Sequence, residues 1–442
     1  MERILYDYKL NATTWVYLSS LLAIAIFFKF SRFWSMRNLD LALLIALAPG
    51  LLMTSHPGDI RYWGYVWLFV VGGLLLVRLG WFDPRMVRRP LLEPNLSPGG
   101  LTFIAACLLV FLMVNVVINR PTASDLEGPR KFDQIRAGVE DVSQDKSLVR
   151  HGPGYFFLYW LPSITTKAVS PKDPALSEEA GRFMLQAATA RTMAILSHLA
   201  VVVGMITIGV WHFDNIRTGV AAATLYLMLP YTAQMTGRVD HVLPAALLVW
   251  AVATYRRPLV SGICLGLAAG TIYYPIFLLP LWIAFYWRRG LLRFGAGFTA
   301  TLVLMVIPLA FTSANADQFI VQIKMMFGWP DFSSPIAEGF WSFHRSANPF
   351  RIPVLAAFVA MCGGFAIWPA RKNLGTLLSC SAAVMLGTQF WIAGNGGIYQ
   401  AWYLPLLLLT VFRPNLEDRV ALATLGESWF ARRRLSYRPR AA

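Results

Sequence analysis

Apolar runs of spanning length or slightly less recur along the whole chain, beginning near residues 14, 39, 62, 101, 191, 218, 241, 258, 274, 294, 351, 376 and 398. A hydrocarbon core takes about 20 apolar residues as helix, and backbone placed there must satisfy its own hydrogen bonds. The pattern predicts an all-α polytopic membrane protein of about thirteen transmembrane helices. The pair from Pro258 to Trp287 is short in each half. Arg256, Arg257, Arg288 and Arg289 flank it, so both its ends are expected on one side.

Composition removes the main rivals. With 57% hydrophobic and 14% charged residues, the chain is too apolar for a soluble multidomain protein. Its net charge of +16 sits in short loops and the tail rather than on one folded surface, so no nucleic-acid partner is expected. Cys107, Cys264, Cys362 and Cys380 lie in apolar segments without metal-ligand spacing, which predicts small buried hydrophobes and no disulfides. The start, MERILYDYKLNATTW, lacks a basic n-region and a small-residue cleavage site, so no removed signal peptide is expected.

Basic residues fall in alternate connections: Lys29, Arg32 and Arg37; Arg85, Arg88 and Arg89; Arg217; Arg256 and Arg257; Arg288, Arg289 and Arg293; Arg371 and Lys372; Arg432 to Arg434. By the positive-inside rule these are cytoplasmic, with the amino terminus outside and the carboxyl terminus inside. Three units follow: a three-helix membrane segment over 1–100, a transmembrane core over 101–412 and a basic cytoplasmic tail over 413–442. The core carries two long outward loops, 119–190 and 313–350. Acids are scarce elsewhere, yet Asp125, Glu127, Asp133, Glu140, Asp141 and Asp145 crowd the first loop. Within it, Gly154 to Val169 is apolar and aromatic but interrupted by Pro162, and reads as a helix lying in the membrane interface. Chemistry on these loops takes place outside the cytoplasm, beside lipid. There is no Walker loop and no Rossmann glycine pattern, so ATP-driven work is not expected.

Several stretches, taken in order, resemble membrane glycosyltransferases of the GT-C class, in particular the protein O-mannosyltransferase and lipid A aminoarabinose transferase group. They are Asp125-Leu-Glu127 with Asp133-Gln134; Gly152-Pro-Gly-Tyr155-Phe-Phe-Leu-Tyr-Trp-Leu161; Arg191-Thr-Met-Ala-Ile-Leu as the opening of a helix; Arg238-Val-Asp240-His241; and Gly262 to Gly270, followed by Tyr273-Tyr274 where the family usually has Lys. The second loop adds Asp317-Gln-Phe319 and Phe343-His344-Arg345 before Pro349-Phe350, and Ile398-Tyr399-Gln-Ala-Trp402-Tyr-Leu-Pro405 resembles the closing helix. Related polyprenyl-phosphate mannosyltransferases fit about as well. The resemblance covers residues 101–412 and leaves the first three spans outside it.

The resemblance implies inverting transfer of a sugar from a polyprenyl-phosphate donor to an extracytoplasmic acceptor, which is a protein, lipid or glycan. The attacking group then needs a carboxylate to take its proton, and the departing phosphate needs cationic donors or a metal. It makes Asp125, Asp133 and Asp240 the catalytic candidates. Glu127, His151, Tyr155, Arg238, His241, His344, Arg345 and Tyr399 become candidates for substrate binding. A divalent metal is permitted but no spacing demands one.

Each candidate has a plainer reading. Asp133 starts the helix-like segment FDQIRAGVEDV, where an acid favours the helix dipole. Asp240 can be a salt-bridge partner of Arg238, His344 and Arg345 an interfacial pair, and His151 a loop hinge. His198, isolated in mid-helix, reads as a packed core histidine, and Asp59 is a rival acid outside the matched region. A transporter or lipid flippase is the alternative class, but it should carry ionisable groups at mid-membrane depth and an internal repeat. A membrane scaffold subunit is a third.

Overall fold

The computed structural model describes residues 11–86, 93–136, 151–152, 154–160, 162–163, 178–287, 289–312, 315–326, 339–343, 349–370, 372–392 and 394–414. These residues form helices and turns, with no strand among them. Five helices are long and apolar enough to cross a membrane: Met36–Thr54, Asp59–Arg85, Pro98–Ile118, Glu178–His212 and Leu291–Pro308. Seven shorter apolar helices accompany them. The run beginning at residue 398 gives less than expected, a single 3-10 turn followed by a nine-residue helix.

In chain order the helices begin with α1 (Ala12–Phe27), α2 (Met36–Thr54), α3 (Asp59–Val77), α4 (Pro98–Ile118) and α5 (Glu127–Arg136). Next come α6 (Glu178–His212), α7 (Ile216–Met228), α8 (Pro230–Gln234), α9 (Val239–Ala253), α10 (Pro258–Thr271), α11 (Leu279–Tyr286) and α12 (Leu291–Thr312). The chain closes with α13 (Ala316–Met326), α14 (Arg351–Ile367), α15 (Leu374–Thr388) and α16 (Leu404–Phe412). Local sequence sets several starts. Asn11, Ser35, Ser97, Asn215 and Asn373 each accept a hydrogen bond from a backbone N–H of the first turn, using the short polar side chains that suit an N-cap.

Helices apolar on every side go either to the protein centre or to lipid. α15 takes the centre, with every residue buried, and α7 joins it from Thr218 to Met228. α4 takes the periphery, with only 17% of its apolar window covered by protein. Glycines set the tightest contact. A Cβ on Gly262 would lie 2.2 Å from the Phe294 carbonyl oxygen, and one on Gly266 would lie 2.8 Å from that of Phe298. α10 and α12 therefore touch backbone to backbone, the small-residue packing that membrane helices favour.

The two ends of the bundle differ. At one end, Lys29 Nζ donates to Asn95 Oδ1 and Arg217 to the carbonyls of Pro94 and Leu96. Arg78 holds Asp40 with Nε at 2.8 Å and Nη2 at 2.9 Å, and Asp83 with Nη1 at 3.1 Å. Arg413 Nη2 completes this buried chain on the other oxygen of Asp83 at 2.6 Å. Asn119 to Glu127 follow α4 at the opposite end of that helix from Ser97.

Several expectations change there. The aromatic stretch after His151 turns inward: Tyr155, Phe156 and Tyr159 are buried in a small core with Val116, Phe132, Met193 and Val239. Among the described residues of that stretch, only Trp160 is largely exposed. Phe156 alone gains about 1.5–3 kcal/mol by this burial, where a position in the interface would leave it part-wet. Arg191 does not open a helix; it lies within the 35 residues of α6, whose length of about 52 Å exceeds the roughly 30 Å of hydrocarbon. Asp133 lies inside α5, and Glu127 is the first-turn acid. Cys107 is exposed rather than buried, and all four cysteines are free.

Candidate functional site

Two glycines fix the first part of the site. Gly152 N donates to Thr271 O and Gly154 N to Gly270 O, both at 2.7 Å. A Cβ on Gly152 would lie 2.3 Å from Gly270 O, and one on Gly154 would lie 2.3 Å from Met305 Sδ. The turn therefore docks on the end of α10 only because Gly152 and Gly154 carry no side chains, and His151 beside them is buried. The His151 ring stacks on Tyr155 at 4.1 Å and 10°. Tyr155 and Tyr159 share a hydrogen bond between hydroxyls at 3.0 Å. Burial, then the neighbouring phenol and the Asp240 charge, push the Tyr155 pKa well up, and burial does the same to Tyr159, so both remain neutral.

α9 supplies the second part. Arg238 precedes its first turn and holds Asp240 through two parallel bonds, Nε to Oδ1 at 2.9 Å and Nη2 to Oδ2 at 2.7 Å. Burial works against the Arg238 charge, but the Asp240 carboxylate outweighs it and raises the guanidinium pKa. Further along, Pro244 has no N–H for the Asp240 carbonyl. Trp402 Nε1 donates to that oxygen instead, at 3.1 Å. His241 Nε2 lies 3.7 Å and His151 Nε2 3.9 Å from Asp240 Oδ2. His241 Nδ1 bonds the Tyr231 hydroxyl, and its ring meets Tyr399 at 4.7 Å. Tyr399 in turn stacks on Trp402 at 4.4 Å. Arg238, Asp240, His241, His151, Tyr155 and Tyr399 thus form one cluster.

Asp125 borders the same cluster. Its Oδ2 accepts from Thr122 N and Thr122 Oγ1, both at 2.8 Å, while its own N–H meets Thr122 Oγ1 at 3.3 Å. This reciprocal arrangement is a capping box for the turn entering α5. The carboxylate lies flat on Gly237, where an added Cβ would be 3.1 Å from both oxygens. Asp125 also lines a cavity of about 820 Å³ with Trp15, Ser55, Asn119, Arg120, Arg191 and Gln234 among its other walls. Asp240, held by Arg238, is not among the walls of that cavity.

The other candidates separate. Asp133 Oδ2 accepts from Gln186 Nε2 at 2.8 Å, which ties α5 to α6. Glu127 is half-buried at the start of α5, and Asp59 is exposed in the first turn of α3. His344 and Arg345 lie outside the described residues. His198 is a core histidine, bonded to Thr236 O and the Tyr226 hydroxyl. Among the described residues no three His, Cys, Asp or Glu side chains are grouped to hold a metal ion.

Sequence reasoning missed Trp15, Gln234 and Arg120 as cavity walls, and it missed Arg351. Arg351 follows Pro349-Phe350, is buried, and donates from Nε and Nη2 to Trp391 O, with Tyr273 and Tyr274 close enough to feel its charge. The Pro-Phe pair was a signal for that loop, but none marked Trp15 or Gln234. No protein-family model matches this chain, and no curated protein matches it significantly.

Proposed function

We propose that this chain is an integral-membrane glycosyltransferase of about thirteen spans that moves a sugar from a polyprenyl-phosphate donor to an extracytoplasmic acceptor. Asp125 is its base. The observation that carries the reading is the position of that carboxylate: it borders a cavity of ligand size, beside a cluster of His, Arg and Tyr side chains. Ligand pockets span roughly 300–1,000 Å³. In the proposed step, Asp125 takes the proton of the acceptor group as its oxygen or nitrogen attacks the anomeric carbon. The carbon–oxygen bond to phosphate breaks on the opposite face, and polyprenyl phosphate leaves with the electron pair. Arg238 keeps Asp240 ionised and fixed, so Asp240 serves as a positioning residue rather than the base.

The test is release of polyprenyl phosphate from polyprenyl-phosphate mannose and polyprenyl-phosphate aminoarabinose by the protein in native membranes. Asp125→Asn should cut the rate about 10²–10⁴-fold, the usual contribution of a placed base. Asp133→Asn, which only loosens the contact with Gln186, should keep most of it. Movement of labelled lipid across the bilayer without donor consumption, unchanged by Asp125→Asn, would replace the enzyme with a flippase.

A further inference from the structure

Gln389 closes α15 with a buried amide, 2% exposed, after fifteen residues that are all buried. An amide in such a place is costly unless it is hydrogen-bonded, and the oxygen of this one serves a single turn. Gln389 Oε1 accepts from Gly397 N at 3.1 Å and from Tyr399 N at 3.2 Å, while Nε2 donates to Thr388 Oγ1 at 3.3 Å. Both lone pairs of the oxygen are thus spent on the turn that carries Tyr399. Two glycines permit this approach: Gly397 has φ +92°, and a Cβ on Gly396 would lie 2.3 Å from Gln389 O. Tyr399 is half-buried, whereas the His241 and Trp402 rings that it meets are buried. A ligand therefore reaches the cluster at Tyr399 and at Arg238, whose side chain is 25% exposed. The same turn is braced from α3. The Tyr65 hydroxyl donates to Asn395 Oδ1 at 2.9 Å. Phe340 stacks on Tyr62 at 5.7 Å, and beside it a Cβ on Gly339 would lie 2.4 Å from Asn395 N. α3 holds the turn at Asn395, and α15 holds it at Gly397 and Tyr399.

We propose that Gln389 is the positioning residue that sets Tyr399 against His241, with Tyr65 of α3 bracing the same turn. Within the glycosyltransferase reading, on which the assignment of Tyr399 as a substrate contact rests, Tyr399 is the wall of the cluster that the sugar meets. Helix α3, which lies outside the family resemblance, thereby takes part in the site. Without the amide oxygen, two N–H groups lose this acceptor in a place where unpaired donors are costly, and the turn shifts to pair them elsewhere.

The experiment puts 3-fluorotyrosine in place of Tyr399 in the full-length protein in nanodiscs and reads its fluorine NMR signal, beside the rate of polyprenyl-phosphate release from polyprenyl-phosphate mannose. Gln389→Met keeps the length of the side chain and removes the acceptor. It should shift and broaden the signal and cut kcat/KM by up to about 10²-fold, the scale of a misplacement of about 1 Å. Gln389→Glu keeps an acceptor oxygen for both N–H groups and should restore the wild-type signal and most of the rate. In a Tyr399→Ala background, Gln389→Met should cost no more than about 2-fold further, because its effect passes through that ring. A merely structural role would keep the whole loss there. Tyr65→Phe removes one hydroxyl without touching α15 and should move the same signal. An unchanged signal in Gln389→Met, or its full loss of rate retained beside Tyr399→Ala, overturns the proposal. Should Gln389→Met fail to fold, a signal unmoved by Tyr65→Phe or not restored in Gln389→Glu overturns it instead. Signals that respond as expected in a protein that releases no polyprenyl phosphate sink the enzyme reading alone, and release that proceeds equally in wild type and Gln389→Met sinks this one alone.

Discussion

Replacing Arg238 with methionine removes a cation that holds a nearly buried carboxylate, and the structure sets the size of the loss. The Asp240 side chain is 10% exposed and that of Arg238 25%. Removing one member of a buried, hydrogen-bonded pair costs about 3–5 kcal/mol, mostly because the other charge stays behind unpaired. Here water reaches part of the guanidinium, and His151 and His241 stand 3.9 and 3.7 Å from Asp240 Oδ2, near enough to close in. Both effects put Arg238→Met at the low end, about 3 kcal/mol. The double variant Arg238→Met/Asp240→Leu removes both charges and should lose only about 1 kcal/mol, about 2 kcal/mol less than Arg238→Met alone. The Trp402 bond to the Asp240 carbonyl survives every variant, because it is made to backbone. Equilibrium unfolding in mixed micelles, followed by tryptophan fluorescence, reads these differences. A single-variant cost under about 1 kcal/mol, or a double variant no better than the single, refutes the claim that Arg238 is what keeps Asp240 in place.

The same site yields two further expectations beside the loss from Asp125→Asn. Gly152→Ala puts a methyl 2.3 Å from Gly270 O, so the turn must lift from α10 and carry His151 with it; a stability loss of about 1–3 kcal/mol and slower donor consumption are expected, and an unchanged rate would remove His151 from the site. Trp402→Phe leaves the Asp240 carbonyl without a partner, at about 1–3 kcal/mol. Pro244→Ala restores a backbone N–H at the right position, so Trp402→Phe should cost less in that background, and a double-mutant cycle with no coupling would contradict the explanation of this bond.

The helices were legible wherever one physical signal decided the outcome. Runs such as Leu101 to Ile118 are too apolar for any exposed loop, and α4 covers that run. The ends were less legible. Hydropathy marks where a helix enters lipid, not where it begins, so Arg191 read as a start while Glu178 to Ala190, with no breaking residue except Gly181, continues the same helix into water. The stretch after His151 failed for another reason: aromatic residues suit both a membrane interface and a protein interior, and what decided between them was backbone bonding to Thr271 and Gly270, more than a hundred residues away in sequence. For the site, Arg238-Val-Asp240-His241 was legible because a charged pair at the mouth of an apolar helix is costly without a purpose. Trp15 and Gln234 carry no such mark, and only the folded arrangement brings them to one cavity.

That arrangement depends on how α1 to α3 are held, which leads to a test at the opposite end of the molecule. There Arg78 joins Asp40 of α2 to Asp83 beyond α3, and Arg413 after α16 takes the second oxygen of Asp83. Phe27 at the end of α1 packs edge-on against Phe412 at 5.5 Å. A buried chain of alternating charges adds little net stability, but its bonds are directional and can fix register. Trp15 reaches the cavity only at one depth of α1, because a slip of a single turn moves it about 5.4 Å along the axis. Arg78→Met should therefore cost about 3–5 kcal/mol, and donor consumption should slow along with it although Arg78 touches no part of the cavity. A variant that loses this stability yet consumes the donor as fast as the wild type would show that the position of α1 is set by its packing in the apolar layer, and that the ion chain stabilises the N-terminal helices without placing Trp15.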